Sequence, residues 1–279
     1  LDQQRRGECS LTYMDETWVW KYWAVNTGEA PVGELKLRRG TRKGQRMIVV
    51  HALDSEGELR TDDANDPSAL LTWEYAKDRG GGDYHDAMNS DRFKEWVEDY
   101  FIPAHKHLHT NWETSDPAVL VLDNAPYHCF GMVNPMTQSK SDNADVMRSM
   151  HLTDWTERRS ARDGGDKHFV VPEEGDFERA PRGPSAAEVA QATYRAMVAR
   201  GDDRLKTWTE RRFAELGWRV IFTPPNCPAF QPIELFWAAG KNWVARNFRV
   251  GRTFARVRGL LIAALESPAQ WEENCNRRV

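Results

Sequence analysis

Three acidic residues, Asp15, Asp123 and Glu234, are the groups in this chain best placed to do chemistry. Each falls at the end of an element that the sequence marks out, in a proline- or aromatic-rich setting. Carboxylates gathered at one point repel, and they stay ionised together only if cations neutralise them. An all-oxygen set, with waters and substrate phosphates filling the remaining positions, suits Mg²⁺ or Mn²⁺. Two such ions roughly 4 Å apart would clamp the attacking and leaving oxygens of a phosphodiester displacement. Each acid also has a local explanation. Asp123-Asn124 ahead of Pro126 suits an Asx turn, and an acid in the first turn of a helix, as Glu234 would be, is favoured by the dipole.

The elements that would carry these acids are readable from pattern. Ala118 to Leu122 is a continuous apolar run, which reads as a strand buried on both faces. Asp123 stands where that strand runs out, beside the crevice where α/β sheets place their chemistry. Leu11 to Trp20 alternates, with Leu11, Tyr13 and Asp15 on one face and Thr12, Met14 and Glu16 on the other. A second strand is expected over Thr17–Val25 and a third over Arg46–Leu53, closing on a turn at residues 54–57. Together these make an antiparallel meander. Ser90 would cap a helix carrying Phe93, Trp96, Val97, Tyr100 and Phe101, stopped by Pro103. A helix over Leu205–Leu216 ends at Gly217, a strand covers Arg219–Thr223, and Pro232 opens a helix packed through Ile233, Trp237, Gly240 and Val244. The last helix runs over Phe254–Leu265. A first strand beside the fourth would set Asp15 next to Asp123, and the helix after the fifth would bring Glu234 over both. Residues 135–205 read as a partly irregular insertion between the fourth and fifth strands, helical from Ala186 to Ala199.

Composition bounds the rest. At 279 residues, with 40% hydrophobic and 29% charged, the chain suits one large globular domain or one and a half. Its longest apolar run, Leu260 to Leu265, is far short of the roughly 18 residues of a membrane span. Cys9, Cys129, Cys227 and Cys275 form no C-x-x-C pair, which argues against a zinc ribbon and suits a reducing compartment. No basic-then-apolar leader is seen, and residue 1 is Leu, as in a piece of a longer protein. The net charge of −4 hides two basic stretches without acids, 35–53 and 235–265, either a solvated face or a phosphate contact.

At this point the motifs carry a resemblance. Tyr13-Met14-Asp15-Glu16-Thr17, Asp83 to Asn89, Leu122-Asp123-Asn124-Ala125-Pro126-Tyr127-His128, and Pro224-Pro225 through Pro232-Ile233-Glu234-Leu235-Phe236-Trp237 with Lys241 resemble the catalytic domain of mariner-like transposases. Related bacterial insertion-sequence transposases of the DDE superfamily share the pattern. The resemblance implies a ribonuclease H-like α/β fold: a mixed five-stranded sheet, antiparallel then parallel, flanked by helices. It implies Asp15, Asp123 and Glu234 as catalytic metal ligands, two Mg²⁺ or Mn²⁺ ions, and DNA cleavage by activated water followed by strand transfer. It implies transposon ends and target DNA as partners, a homodimer on DNA, no membrane, and a location in the nucleus or, in a bacterium, the cytoplasm and nucleoid. The family's N-terminal DNA-binding region is not in this chain. Gln231 stands where the family usually has Asn, and residues 124–233 separate two acids that are typically a few tens apart. Glu16, Asn124 and His128 are candidates to support the ligands, Lys241 to touch phosphate, and Trp18, Trp20 and Trp23 to stack on bases. Two other readings of the same residues stay open: an idle DNA-binding module, and a different two-metal nuclease of this fold.

Overall fold

The computed structural model describes residues 10–23, 44–54, 57–59, 65–75, 88–109, 118–157, 165–171, 184–224, 230–249 and 251–265. The basic residues at 36–43, the 83–87 part of the Asp83–Asn89 motif and three of the four cysteines lie outside them. In chain order the strands are β1 (Ser10–Trp20), β2 (Arg46–Leu53), β3 (Leu71–Tyr75), β4 (Ala118–Leu122), β5 (Asp154–Glu157), β6 (Lys167–Val170) and β7 (Arg219–Phe222). The α-helices are α1 (Ser90–Glu95), α2 (Ile102–Leu108), α3 (Lys140–Ser149), α4 (Ala186–Arg200), α5 (Trp208–Glu215), α6 (Ile233–Arg246) and α7 (Phe254–Leu265). The chain divides into two compact units, residues 1–128 with 213–279, and residues 129–212.

The first unit holds a five-stranded sheet in the order β3-β2-β1-β4-β7. β1 pairs antiparallel with β2, β2 with β3, while β4 runs parallel to both β1 and β7. This is the expected ribonuclease H-like sheet. β4 is buried at every position, as its unbroken apolar run requires. Two expectations need correction. Leu11–Trp20 and the Thr17–Trp20 part of the next predicted strand are one strand, because β-branched and aromatic residues continue without a turn residue to Trp20. Lys21 and Tyr22 then turn, and residues 24 and 25 lie outside the described residues. The third strand of the meander is instead Leu71–Tyr75, a half-exposed strand at the sheet edge.

One face of β1 and β2 supplies Val19, Met47 and Val49 to a core with Ile233, Phe236, Trp237 and Val244 of α6. Val257, Leu260, Leu261 and Leu265 of α7 complete it. The two helices approach closely at Gly240, where a Cβ would stand 2.9 Å from Leu261 Cδ1 and 3.0 Å from Leu265 Cδ2. No helix among the described residues is long and apolar enough to cross a membrane.

Pro103 does not stop its helix. Trp96–Phe101 widens into a π-helical turn after α1, and α2 continues through Leu108 with Pro103 in its first turn. The wider turn sets the bond from Ile102 N–H back to Val97, so the donor that proline lacks falls at a helix start. The N-cap of α1 is Asn89, whose side chain accepts from Arg92 N–H, rather than Ser90.

Near the end of this helical run His105 is 3% exposed, its ring 4.7 Å from Trp218, 5.8 Å from Phe101 and 4.3 Å from His109. Burial first, and His109 second, lower its pKa from 6.5 to about 4, against the pull of Asp54. The unfolded chain therefore takes up a proton that the folded chain refuses. His105 costs no stability above pH 6.5, and stability falls as pH drops from 6.5 through about 4. Replacing His105 by Phe should flatten that acid limb, by roughly 3 kcal/mol at its lower end. Urea midpoints measured from pH 7 to pH 4 check this; parallel acid limbs in both proteins would contradict it.

In the second unit α3 and α4 pack through Ala144, Met147, Val189 and Ala192, with Val171 beside them. Ser139 with Asp142 and Ser185 with Glu188 form capping boxes at the two helix starts. β5 and β6 make an antiparallel ribbon on which Trp155 and Phe169 stack at 5.1 Å. Much of the stretch expected to be irregular is therefore regular, because the caps and small packing residues that specify it give only weak periodicity.

Candidate active site

The parallel pairing of β1 with β4 runs from Ser10↔Ala118 to Tyr13↔Val121. Asp15 and Asp123 each stand two residues beyond that last pair, at matching heights on neighbouring strands. Glu234 lies in the first turn of α6, the helix that packs on β1. The three acids come from segments remote in sequence, and Glu234 and Asp123 both act on Asp15. Burial first, then Glu16, Glu234 and Asp123, push the Asp15 carboxyl well above its ordinary range. Asp123 and Glu234 are exposed, whereas Asp15 is half-buried.

Among the described residues, no three His, Cys, Asp or Glu side chains already form a group that could hold a metal ion. In donor type Asp15, Asp123 and Glu234 fit a hard divalent cation, whose charge would offset the burial and the neighbouring acids that raise the Asp15 carboxyl.

One positive charge is already there. The Lys241 ammonium sits 5.3 Å from the ring centre of Trp18 and 5.9 Å from that of Trp23. Burial lowers its pKa, while Glu234 and Asp15 act in the opposite direction. Lys241, foreseen as a phosphate contact, thus stands between the acids and an aromatic wall.

The residues expected to support the ligands fall in two places. Asn124 Nδ2 donates to Thr223 O at 2.6 Å and ties the ends of β4 and β7 together. His128 is 1% exposed and bridges two carboxylates. Its Nδ1 lies 2.7 Å from Asp123 Oδ1 and its Nε2 3.1 Å from Glu16 Oε1. Ionised carboxylates only accept, so both ring nitrogens donate and the ring carries a positive charge. Burial opposes that charge, but Glu16 and Asp123 together outweigh it and raise the pKa to about 10. Tyr127 OH donates to Glu16 Oε2 at 3.2 Å, a role its place in a turn did not announce.

One further side chain escaped the sequence reading. His51, fully buried, pairs across the strands with Asp15, and its Nε2 is 3.1 Å from Glu58 Oε2. A lone histidine inside the apolar run Ile48–Ala52 is the signal that was there to read. Gln231, already noted in the sequence, is 7% exposed just ahead of α6, and among the described residues neither of its amide atoms has a hydrogen-bond partner. The basic run at 235–265 is not a uniform face: Arg252 is turned inward and 5% exposed. A cleft of about 400 Å³ between Leu71, Trp73, Tyr100, Phe254 and Arg258 includes none of the three acids in its lining.

The chain matches no protein-family model and no curated protein sequence. Among solved structures it is similar to the crystal structure of the Mos1 mariner paired end complex with Mn, at 11% identity and a TM-score of 0.44. That overlap covers 97% of this chain and 56% of the other. The Mos1 transposase paired-end complex with left transposon end gives 11% and 0.44, over 97% and 52% of the two chains. A pre-cleavage Mos1 transpososome gives 11% and 0.44, over 99% and 58%. The chain spans about half the length of these structures.

Proposed function

We propose that this chain is the catalytic domain of a DDE-type transposase, which cuts DNA strands by hydrolysis and transfers the freed 3′-hydroxyl to target DNA. The observation that supports this reading is the placing of Asp15 and Asp123 two residues beyond the last β1–β4 pair, with Glu234 in the first turn of the helix that packs on β1. In this reading Asp15, Asp123 and Glu234 hold Mg²⁺ or Mn²⁺, two ions in all. The metal supplies positive charge to the phosphodiester and lowers the pKa of water. The protein's own groups do the rest. Asn124 holds the β4–β7 ends in line, Lys241 presents a cation to the DNA backbone beside the acids, and Trp18 and Trp23 border its path. DNA is the partner, bound by two copies of the protein.

The test is nicking of supercoiled plasmid DNA by the purified protein with Mg²⁺ or Mn²⁺, against EDTA. Nicked circles that depend on the ion, and that vanish with Asp123→Asn, are expected. Equal nicking by Asp123→Asn, or none by the wild type with either ion, overturns the proposal. DNA retention without nicking would instead fit an idle binding module.

A further inference from the structure

Glu16 follows Asp15 in the sequence, yet the pleat of β1 turns the two carboxylates to opposite sides of the sheet. Asp15 shares a face with the α6 core. Glu16 is directed toward His128, Tyr127 and, beyond them, Phe93. The pair His128–Glu16 is buried on both sides, with side chains 1% and 3% exposed, whereas the Asp123 side chain at the other end of His128 is 52% exposed. A half-exposed carboxylate is thus anchored to a fully buried one through a rigid ring.

We propose that Glu16, His128 and Tyr127 are a positioning unit that fixes the rotation of the Asp123 carboxylate from the far side of β1. The inference rests on the reading of Asp123 as a ligand of the proposed site. Asp123 Oδ1 is engaged on the protein side, accepting from Ala125 N–H at 3.0 Å and from His128 Nδ1–H at 2.7 Å. His128 could not hold it alone, because an imidazole ring turns about its χ2 bond. Three neighbours stop that turning. Glu16 Oε1 takes the opposite ring nitrogen, Phe93 lies 4.5 Å away at a tilt of 57°, and the Tyr127 ring stands edge-on at 4.6 Å. Tyr127 OH in turn occupies Glu16 Oε2, so both oxygens of Glu16 have donors.

The arrangement is a poor device for stability. A buried ion pair is often no better than well-packed apolar residues, and Glu16 also adds to the repulsion felt by Asp15. What it does supply is orientation: a planar ring with acceptors on opposite edges transmits the placement of one carboxylate to the other. Outer hydrogen-bond partners of this kind commonly govern metal affinity by tenfold to hundredfold.

The test compares wild type, Glu16→Ala, Glu16→Gln, Tyr127→Phe and Asp123→Asn by Mn²⁺ titration of the protein alone and by nicking kinetics. Glu16→Ala should keep a cooperative melt, bind Mn²⁺ about tenfold to a hundredfold more weakly, and lose kcat with little change in KM for DNA. Glu16→Gln keeps an oxygen that accepts from His128 Nε2, and should recover most of the loss. Tyr127→Phe removes one bond to Glu16 and should weaken Mn²⁺ binding less, in the same direction; it serves if Glu16→Ala does not fold. Mn²⁺ binding and kcat equal to wild type in Glu16→Ala, or unchanged Mn²⁺ binding in Tyr127→Phe if only that variant folds, overturn the inference. If Asp123→Asn itself binds Mn²⁺ as wild type does, the proposed site is wrong. If Asp123→Asn loses the ion while Glu16→Ala keeps it, only the positioning role is wrong.

Discussion

Asp15→Ala and Asp123→Ala are expected to abolish DNA nicking while leaving the fold intact. If the three acids hold the metal as proposed, loss of one should cost at least about 10³-fold in rate, equivalent to about 4 kcal/mol of barrier. The same change should raise the melting temperature of the metal-free protein when Asp15 is the residue removed. Burial and three neighbouring acids lift the Asp15 carboxyl above its ordinary value of 3.8. A raised acid favours the folded state only when protonated, so its ionisation costs stability increasingly as pH climbs above 3.8. The gain in Asp15→Ala should therefore be present near neutral pH and fade as pH falls toward 3.8. Calorimetry at several pH values and a nicking time course on the same samples check both halves. A lost melting transition in either variant would show the acid to be a folding residue, and residual nicking above a few per cent would remove it from the catalytic set.

The second large effect lies away from the acids. Arg252 is expected to be the most costly of the basic residues between 235 and 265 to remove. Its guanidinium donates to four main-chain carbonyls: Trp20, Lys21 and Trp23 after the end of β1, and Val244 near the end of α6. Arg252→Ala leaves those carbonyls short of a donor, and we expect a loss of about 3 kcal/mol or more, read from urea unfolding. Arg252→Lys should recover only part, since one ammonium cannot reproduce a planar fork. The turn it holds carries Trp23, one of the two rings beside Lys241, so a selective drop in Trp fluorescence change on DNA addition should accompany the loss. A change under 0.5 kcal/mol, the usual range for a surface position, would mean that the guanidinium is not bearing this turn.

Asp123 and Glu234 stood out as candidates because they fall where a strand ends and a helix begins, and such ends are written in local sequence. Asp15, expected at an element end too, lies instead in the middle of β1. β4 showed itself through five apolar residues with no polar alternation, and the capping and stripe pattern of α6 fixed the level of Glu234. The first strand beside the fourth followed from an antiparallel meander running on into parallel strands. β3 did not show itself, because a short edge strand, Leu-Thr-Trp-Glu-Tyr, has no face that must be wholly apolar. Pro103 misled for a different reason: proline removes a donor, but a widened turn upstream leaves that donor unneeded. In the site, alternation along β1 already separated Glu16 from Asp15. That Glu16 meets Tyr127 and His128, more than a hundred residues on, is a tertiary fact with no local trace. The inward turn of Arg252 is of the same kind: its carbonyl partners at Trp20, Lys21 and Trp23 are over two hundred residues away.

The adjacent carboxylates of β1 have a consequence for how the molecule assembles. Sliding β1 by a single peptide along β2 would still bring an acid to the height of Asp15, but it would be glutamate, one methylene longer, with Thr17 brought to the place opposite His128. What guards against that near-miss is the apolar lining. Met14 and Val19, 1% and 0% exposed, lie on opposite surfaces of the ribbon, and the slide would exchange both at once. The accuracy of the acid cluster is thus enforced by residues that take no part in its chemistry, so variants that loosen this lining should yield misthreaded, inactive protein before they yield unfolded protein.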